Sequence, residues 1–116
     1  NEEFTKLMSA QYNITINQNT DFIRSFQVKK NNVILDISGY TFTGRIKNSF
    51  HTTGHTSFTT SIVDAAAGTF TIALTPVQTA ALEPGTNVYD VNMLDTANVT
   101  SRVLQGNAVA KQGVTP

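Results

Sequence analysis

Short runs of alternating apolar and polar residues, set apart by turn signals, run through most of this 116-residue chain. A tyrosine, Tyr89, enters a late run just behind the turn Pro84-Gly85, and outside residues 2–10 and 76–83 no stretch has helical character. Together these predict an all-β fold: an immunoglobulin-like antiparallel β-sandwich of about seven strands, with one short crossover helix and a short N-terminal helix. The sandwich is expected over residues 11–116, and residues 1–10 form an N-terminal arm or short helix.

The arm comes first. Phe4, Leu7 and Met8 fall at i, i+3 and i+4, one apolar stripe on a helix capped by Asn1. A helix this short is marginal in water and has to pack on something. Met8-Ser9-Ala10 also has the form of a translation start. Tyr12, Ile14 and Ile16 then alternate with polar residues, the period expected when one strand face meets a core. Asn19-Thr20-Asp21 turns the chain into a strand where Phe22, Phe26 and Val28 share a face with Arg24. That arginine is read as a rim residue, its stem packed and its guanidinium reaching water or a carboxylate.

Lys29 to Asn32 has hairpin-turn composition, because Asn tolerates positive φ, and a strand resumes at Val33. Ser38-Gly39 bends the chain into Tyr40–Lys47, with Tyr40, Phe42 and Ile46 inward. Gly44 on that inner face leaves room for a large opposing side chain or marks a bulge. Asn48 to Thr56 is polar and aperiodic, a long exposed loop in which Phe50 is the one aromatic. Phe58, Thr60 and Ile62 alternate before the turn at Asp64–Gly68, and Phe70, Ile72 and Leu74 alternate with threonines and alanine after it.

Thr75-Pro76-Val77-Gln78 reads as a helix start, with a threonine cap, proline at the first helical position and Gln three residues after the cap. Pro84-Gly85 ends it, so the helix is short and crosses between sheets, with Val77 and Leu82 as core contacts. Tyr89, Val91 and Met93 form one face of the next strand; a tyrosine here can act as a tyrosine corner, its hydroxyl bonding the preceding connection. Asp95–Asn98 makes a turn, Val99–Gly106 returns, and Asn107–Val114 adds an edge segment.

Little in the chain points to chemistry. Eight basic and eight acidic residues cancel, so no global field draws in nucleic acid or an anionic membrane. No apolar run reaches the roughly 20 residues that span a bilayer, and the start lacks the basic region of a secretion signal. Without cysteine, a structural zinc would need His and carboxylates alone. His51 and His55 have helical metal-ligand spacing but lie in Thr/Gly/Ser sequence, and are read as loop histidines facing solvent.

The carboxylates sit beside turns or among polar neighbours, and Asp90, on the face opposite Tyr89, is expected to be solvent-exposed or to pair across strands with Arg102. There is no nucleophile elbow, base or phosphate loop, so neither a catalytic residue nor a cofactor is expected. Asn13-Ile14-Thr15 and Asn98-Val99-Thr100 match the N-glycosylation pattern, which is common by chance.

The segments Tyr12-Asn13-Ile14 into Asp21-Phe22, Asp36 to Phe42, Ala67 to Ile72, Leu82-Glu83-Pro84-Gly85 with Tyr89-Asp90-Val91, and Arg102 to Gly106 carry a further signal. Over residues 11–115 they resemble a family of immunoglobulin-like domains in tailed-bacteriophage virion proteins. These occur in baseplate, tail-fibre and head-decoration components, including the N-terminal domain of some upper baseplate proteins. The resemblance implies a non-enzymatic structural protein located in the virion, which attaches to other virion proteins. Homo-oligomers within the particle are a further expectation, and the cancelling charges and lack of a spanning apolar run predict neither a nucleic-acid nor a membrane partner. It does not extend before Gln11, where Phe4, Leu7 and Met8 are expected to form an attachment arm. The alternative is a host-surface or carbohydrate-binding module that uses Phe50 and the Asn48–Thr56 loop.

Overall fold

Two β-sheets face each other across a core of phenylalanine, isoleucine, valine and leucine side chains. The computed structural model describes residues 10–30, 32–48 and 54–113. In chain order these form β1 (Ala10–Gln11), β2 (Ile14–Asn17), β3 (Phe22–Gln27), β4 (Lys29–Lys30), β5 (Val33–Ile34) and β6 (Thr41–Lys47). There follow β7 (Thr56–Ser57), β8 (Thr59–Asp64), β9 (Thr69–Leu74), helix α1 (Pro76–Ala80), β10 (Gly85–Leu94) and β11 (Thr100–Lys111). The larger sheet runs β11-β10-β6-β7, with β1 and β2 both lying against the outer side of β11; the smaller runs β3-β9-β8, and β4 and β5 make a separate hairpin. The small sheet thus holds the B, E and D positions of an immunoglobulin-like sandwich and the large sheet the C, F and G positions.

The inward faces expected from alternation are largely those observed. Phe42 and Ile46 of β6, Phe70, Ile72 and Leu74 of β9, and Tyr89, Val91 and Met93 of β10 are all buried. Phe42 and Phe70 come from opposite sheets, and their rings stack at 4.2 Å between centroids, joining the two layers. Gly44 does open space for a large neighbour: a Cβ there would lie 2.9 Å from the Phe58 ring. Asn32 and Asn98 adopt positive φ in their turns, and Asp95 Oδ1 accepts the backbone N–H of Ala97 and Val99. In the Asp36–Ser38 turn, the Ser38 hydroxyl and N–H hold the Asp36 carboxyl below its ordinary pKa.

Helix α1 starts as its sequence specifies. Thr75 Oγ1 accepts the Gln78 N–H at 3.2 Å and Gln78 Oε1 accepts the Thr75 N–H at 2.9 Å, a complete capping box with proline at the first turn. The helix leads from the small sheet to the large one, and Leu82 beyond it is buried. Val77 is 80% exposed, contrary to expectation. The side chain that turns inward from this one-turn helix is Thr79, whose hydroxyl donates to the carbonyls of Thr20 and Pro76.

Four further expectations are corrected. The sandwich is not wholly antiparallel, because β1 and β2 run parallel to β11. For the same reason Asn107–Lys111 is not an edge: it continues β11 as an interior strand between β10 and β2, where Ala108 and Ala110 pair with Ile14 and Ile16. Small side chains leave room there for the isoleucines, and alanine gives little hydrophobic signal in sequence.

Tyr12 is 47% exposed because the chain steps out of strand conformation between β1 and β2, and its ring packs edge-on against Phe26 instead. Ile62 is also partly exposed, although it pairs with the buried Phe70, because β8 is the outer strand of the small sheet. Of the helix expected over residues 2–10, residues 2–9, with Phe4, Leu7 and Met8, lie outside the described residues, and Ala10 belongs to β1.

Candidate interaction surfaces

Tyr89 is buried on the inner face of β10, and its cross-strand neighbour on β11 is Gly106. With no side chain at Gly106, the Tyr89 ring extends over β11, and its hydroxyl donates to the Tyr12 carbonyl at 2.5 Å. This corrects the expectation of a bond to the preceding connection. That task belongs to Asn87, buried two residues earlier, whose Nδ2 donates to the carbonyls of Glu83, Gly85 and Ala108.

The step at Tyr12-Asn13 is held by two more bonds. Tyr12 N–H donates to Gln105 O at 2.9 Å, and Asn13 Oδ1 accepts the Asn107 N–H at 3.0 Å. Tyr89, Asn13 and Gly106 together lock the first strands onto the last. Asn13, which also fits a glycosylation pattern, therefore has a structural task through its side-chain oxygen.

Burial, with the nearby Tyr12 phenol adding to it, pushes the Tyr89 hydroxyl up to about 12 from its ordinary 10.0. Below pH 10 the phenol is neutral in folded and unfolded chains alike, so its contribution to stability is complete. Above pH 10 the unfolded chain releases its proton first, and stability falls until the folded group also ionises near pH 12. Comparing urea midpoints of the native chain and Tyr89→Phe between pH 8 and 12 is expected to show the steeper alkaline decline in the native chain. Equal slopes would contradict the buried, bonded hydroxyl.

Among the described residues, concavities outside the core include two of note. The first, of about 610 Å³, is the outer face of the large sheet. Cross-strand rows there set Arg45, Asp90 and Gln105 side by side, then Thr43, Asn92 and Arg102. The expected Asp90–Arg102 pair forms at 3.6 Å, with both side chains well exposed; such pairs contribute little to stability. Most side chains along this face are polar, and the aromatic residue among its lining, Tyr89, is buried and offers no exposed platform.

The second concavity, about 280 Å³, opens between the sheets beside β3 and is lined in part by Tyr12, Phe26, Phe70, Val103 and Leu104. Arg24 is exposed at this strand, as expected of a rim residue, but its partners are local. Its guanidinium lies 4.9 Å from the Phe22 ring centroid and donates to Ile23 O at 3.0 Å.

Among the described residues no cluster of three or more His, Cys, Asp or Glu side chains could hold a metal, and no helix is long and apolar enough to cross a membrane. His55 is exposed. His51 and Phe50 lie outside the described residues, as do Phe4, Leu7 and Met8. The residues that sequence reasoning missed are Asn87, Asn13 and Gly106. Of these, Gly106 carried a readable signal, since an isolated glycine inside a strand marks a close backbone approach.

No protein-family model and no curated protein matches this chain. Among solved structures it is similar to an internalin-like protein of Listeria monocytogenes, at 14% identity and a TM-score of 0.44. The similarity covers 91% of this chain but 30% of that one, so this chain spans under a third of its length.

Proposed function

We propose that this chain is a non-enzymatic structural protein of a tailed-bacteriophage virion, attached to other virion proteins in the tail, the baseplate or the head decoration. The observation that supports the reading is where the residues carrying the family resemblance fall. Tyr12-Asn13-Ile14, Gly68 to Ile72, Leu82 to Val91 and Arg102 to Gly106 are the turns, inward faces and interlocking bonds of the sandwich. Residues with such tasks maintain a scaffold. On a scaffold of this kind, function lies in its edges, faces and loops. The Thr/Asn/Gln-rich faces suit contacts made by hydrogen bonding and shape.

Gold-antibody labelling of intact particles, read by electron microscopy, tests the proposal. Label spread over the capsid assigns a decoration role, and label at the tail end a baseplate or fibre role. If the chain is missing from purified particles altogether, the virion reading is lost. Phe50→Ala and shortening of the Asn48–Thr56 loop are expected to leave incorporation unchanged. Loss of adsorption to the host with incorporation intact would favour the host-surface alternative.

A further inference from the structure

Strand parity shows which backbone groups of β3 face away from its sheet. In an antiparallel pair, alternate residues direct N–H and C=O to the partner strand, and the residues between direct theirs outward. Val28 donates its N–H to Gly68 O at 2.8 Å, and the same register pairs Phe26 with Phe70 and Phe22 with Leu74. The even-numbered residues therefore bond β9, while Ile23, Ser25 and Gln27 turn their backbone groups to the outer edge. Among the described residues β9 is the only strand paired with β3.

The other edges are poorly suited to pairing. β7 has two residues, β8 is offset by its register shift, and the β1–β2 edge is broken at Tyr12-Asn13. β3 offers six residues without interruption.

We propose that two copies of this chain associate through β3, antiparallel about a two-fold axis at Ser25, joining their small sheets into one continuous sheet. A two-fold contact requires a self-complementary surface, and this edge has one. With Ser25 opposite itself, Ile23 faces Gln27 of the second copy, and both are residues whose backbone groups point outward. Phe22 faces Val28, apolar against apolar.

Exposed Asp21 faces exposed Lys29 at each end of the seam, setting carboxylate against ammonium twice. The Ile23 carbonyl has two lone pairs, so it accepts the Gln27 N–H of the second copy while keeping its bond to Arg24. The apolar cleft that includes Tyr12, Phe26 and Leu104 runs beside this seam. Such a dimer forms from the chain alone in solution, whatever its place in a virion.

Sedimentation equilibrium of the full chain over a range of concentrations tests it, with a dimer expected. Ser25→Pro removes an outward N–H that the ladder to β9 does not use, and is expected to give a monomer with unchanged circular dichroism. Asp21→Lys is expected to weaken association roughly tenfold, because two symmetry-related surface contacts turn repulsive together. Adding Lys29→Asp to it restores the dimer, which loss of folding could not do. A chain that is monomeric at every concentration overturns the proposal, as does a dimer indifferent to both Ser25→Pro and Asp21→Lys.

Discussion

Phe70→Ala is expected to destabilise the protein by about 3–5 kcal/mol, the usual cost of removing a buried phenyl ring from a core that cannot close the cavity. Phe70 is 1% exposed and sits where the layers meet. It stacks on Phe42 of the opposite sheet at 4.2 Å and packs against Phe26 at 5.8 Å between centroids. Both neighbours are strand residues whose backbones are fixed by their ladders, so neither can move in to fill the void. The loss is measurable as a lowered urea midpoint with an unchanged slope, or as a fall in melting temperature of more than about 12 °C for a domain near this size. A loss below about 1 kcal/mol would mean that the sheets do not pack through this ring.

Gly106→Ala is the second large effect, expected at about 3 kcal/mol. A Cβ at this position would collide with the Tyr12 carbonyl and lie 2.9 Å from Asn13 Oδ1. The first obstacle is backbone, so relief requires β1 and β2 to move away from β11. That movement breaks the part-buried Tyr89–Tyr12 hydrogen bond, leaving the Tyr89 hydroxyl without its acceptor, and with it the exposed Asn107–Asn13 bond. In a Tyr89→Phe background one of those bonds is already gone. Gly106→Ala should then cost measurably less than in the native chain, and a double-mutant cycle reads the difference. Strict additivity would show that the two positions are not coupled through Tyr12.

Local signals in this chain were legible because local chemistry decides them. The four residues Thr75 to Gln78 contain every group of the capping box, and the box forms. The alternation of Phe70, Ile72 and Leu74 predicts which way those side chains face, since period two has only two solutions. What alternation does not encode is a strand's partner. β1 and β2 pair with a strand some 94 residues further along, as the Asn13–Asn107 bond shows, and nothing near Tyr12 in sequence announces it.

The same limit explains the hydroxyl of Tyr89. Its inward orientation was readable from Val91 and Met93, but its acceptor, Tyr12, lies 77 residues away. Val77 failed for a different reason. Hydrophobicity placed it in the core, yet a helix of five residues turns few of its side chains inward, and the bonds of Thr79 to Thr20 and Pro76 decide which. The candidate interaction residues Phe4, Leu7, Met8 and Phe50 lie outside the described residues, and Tyr89, expected as a tyrosine corner, bonds Tyr12 instead of the preceding connection. Surfaces such as the β3 edge are not visible in sequence at all, because they depend on which strands end up outermost.

Adding the purified chain to particles assembled without it tests the proposed attachment to virion proteins most directly. Saturable binding is expected, with a fixed number of copies per particle and no covalent change to the chain. Failure to bind such particles at any concentration, by a chain shown by circular dichroism to be folded, would contradict it.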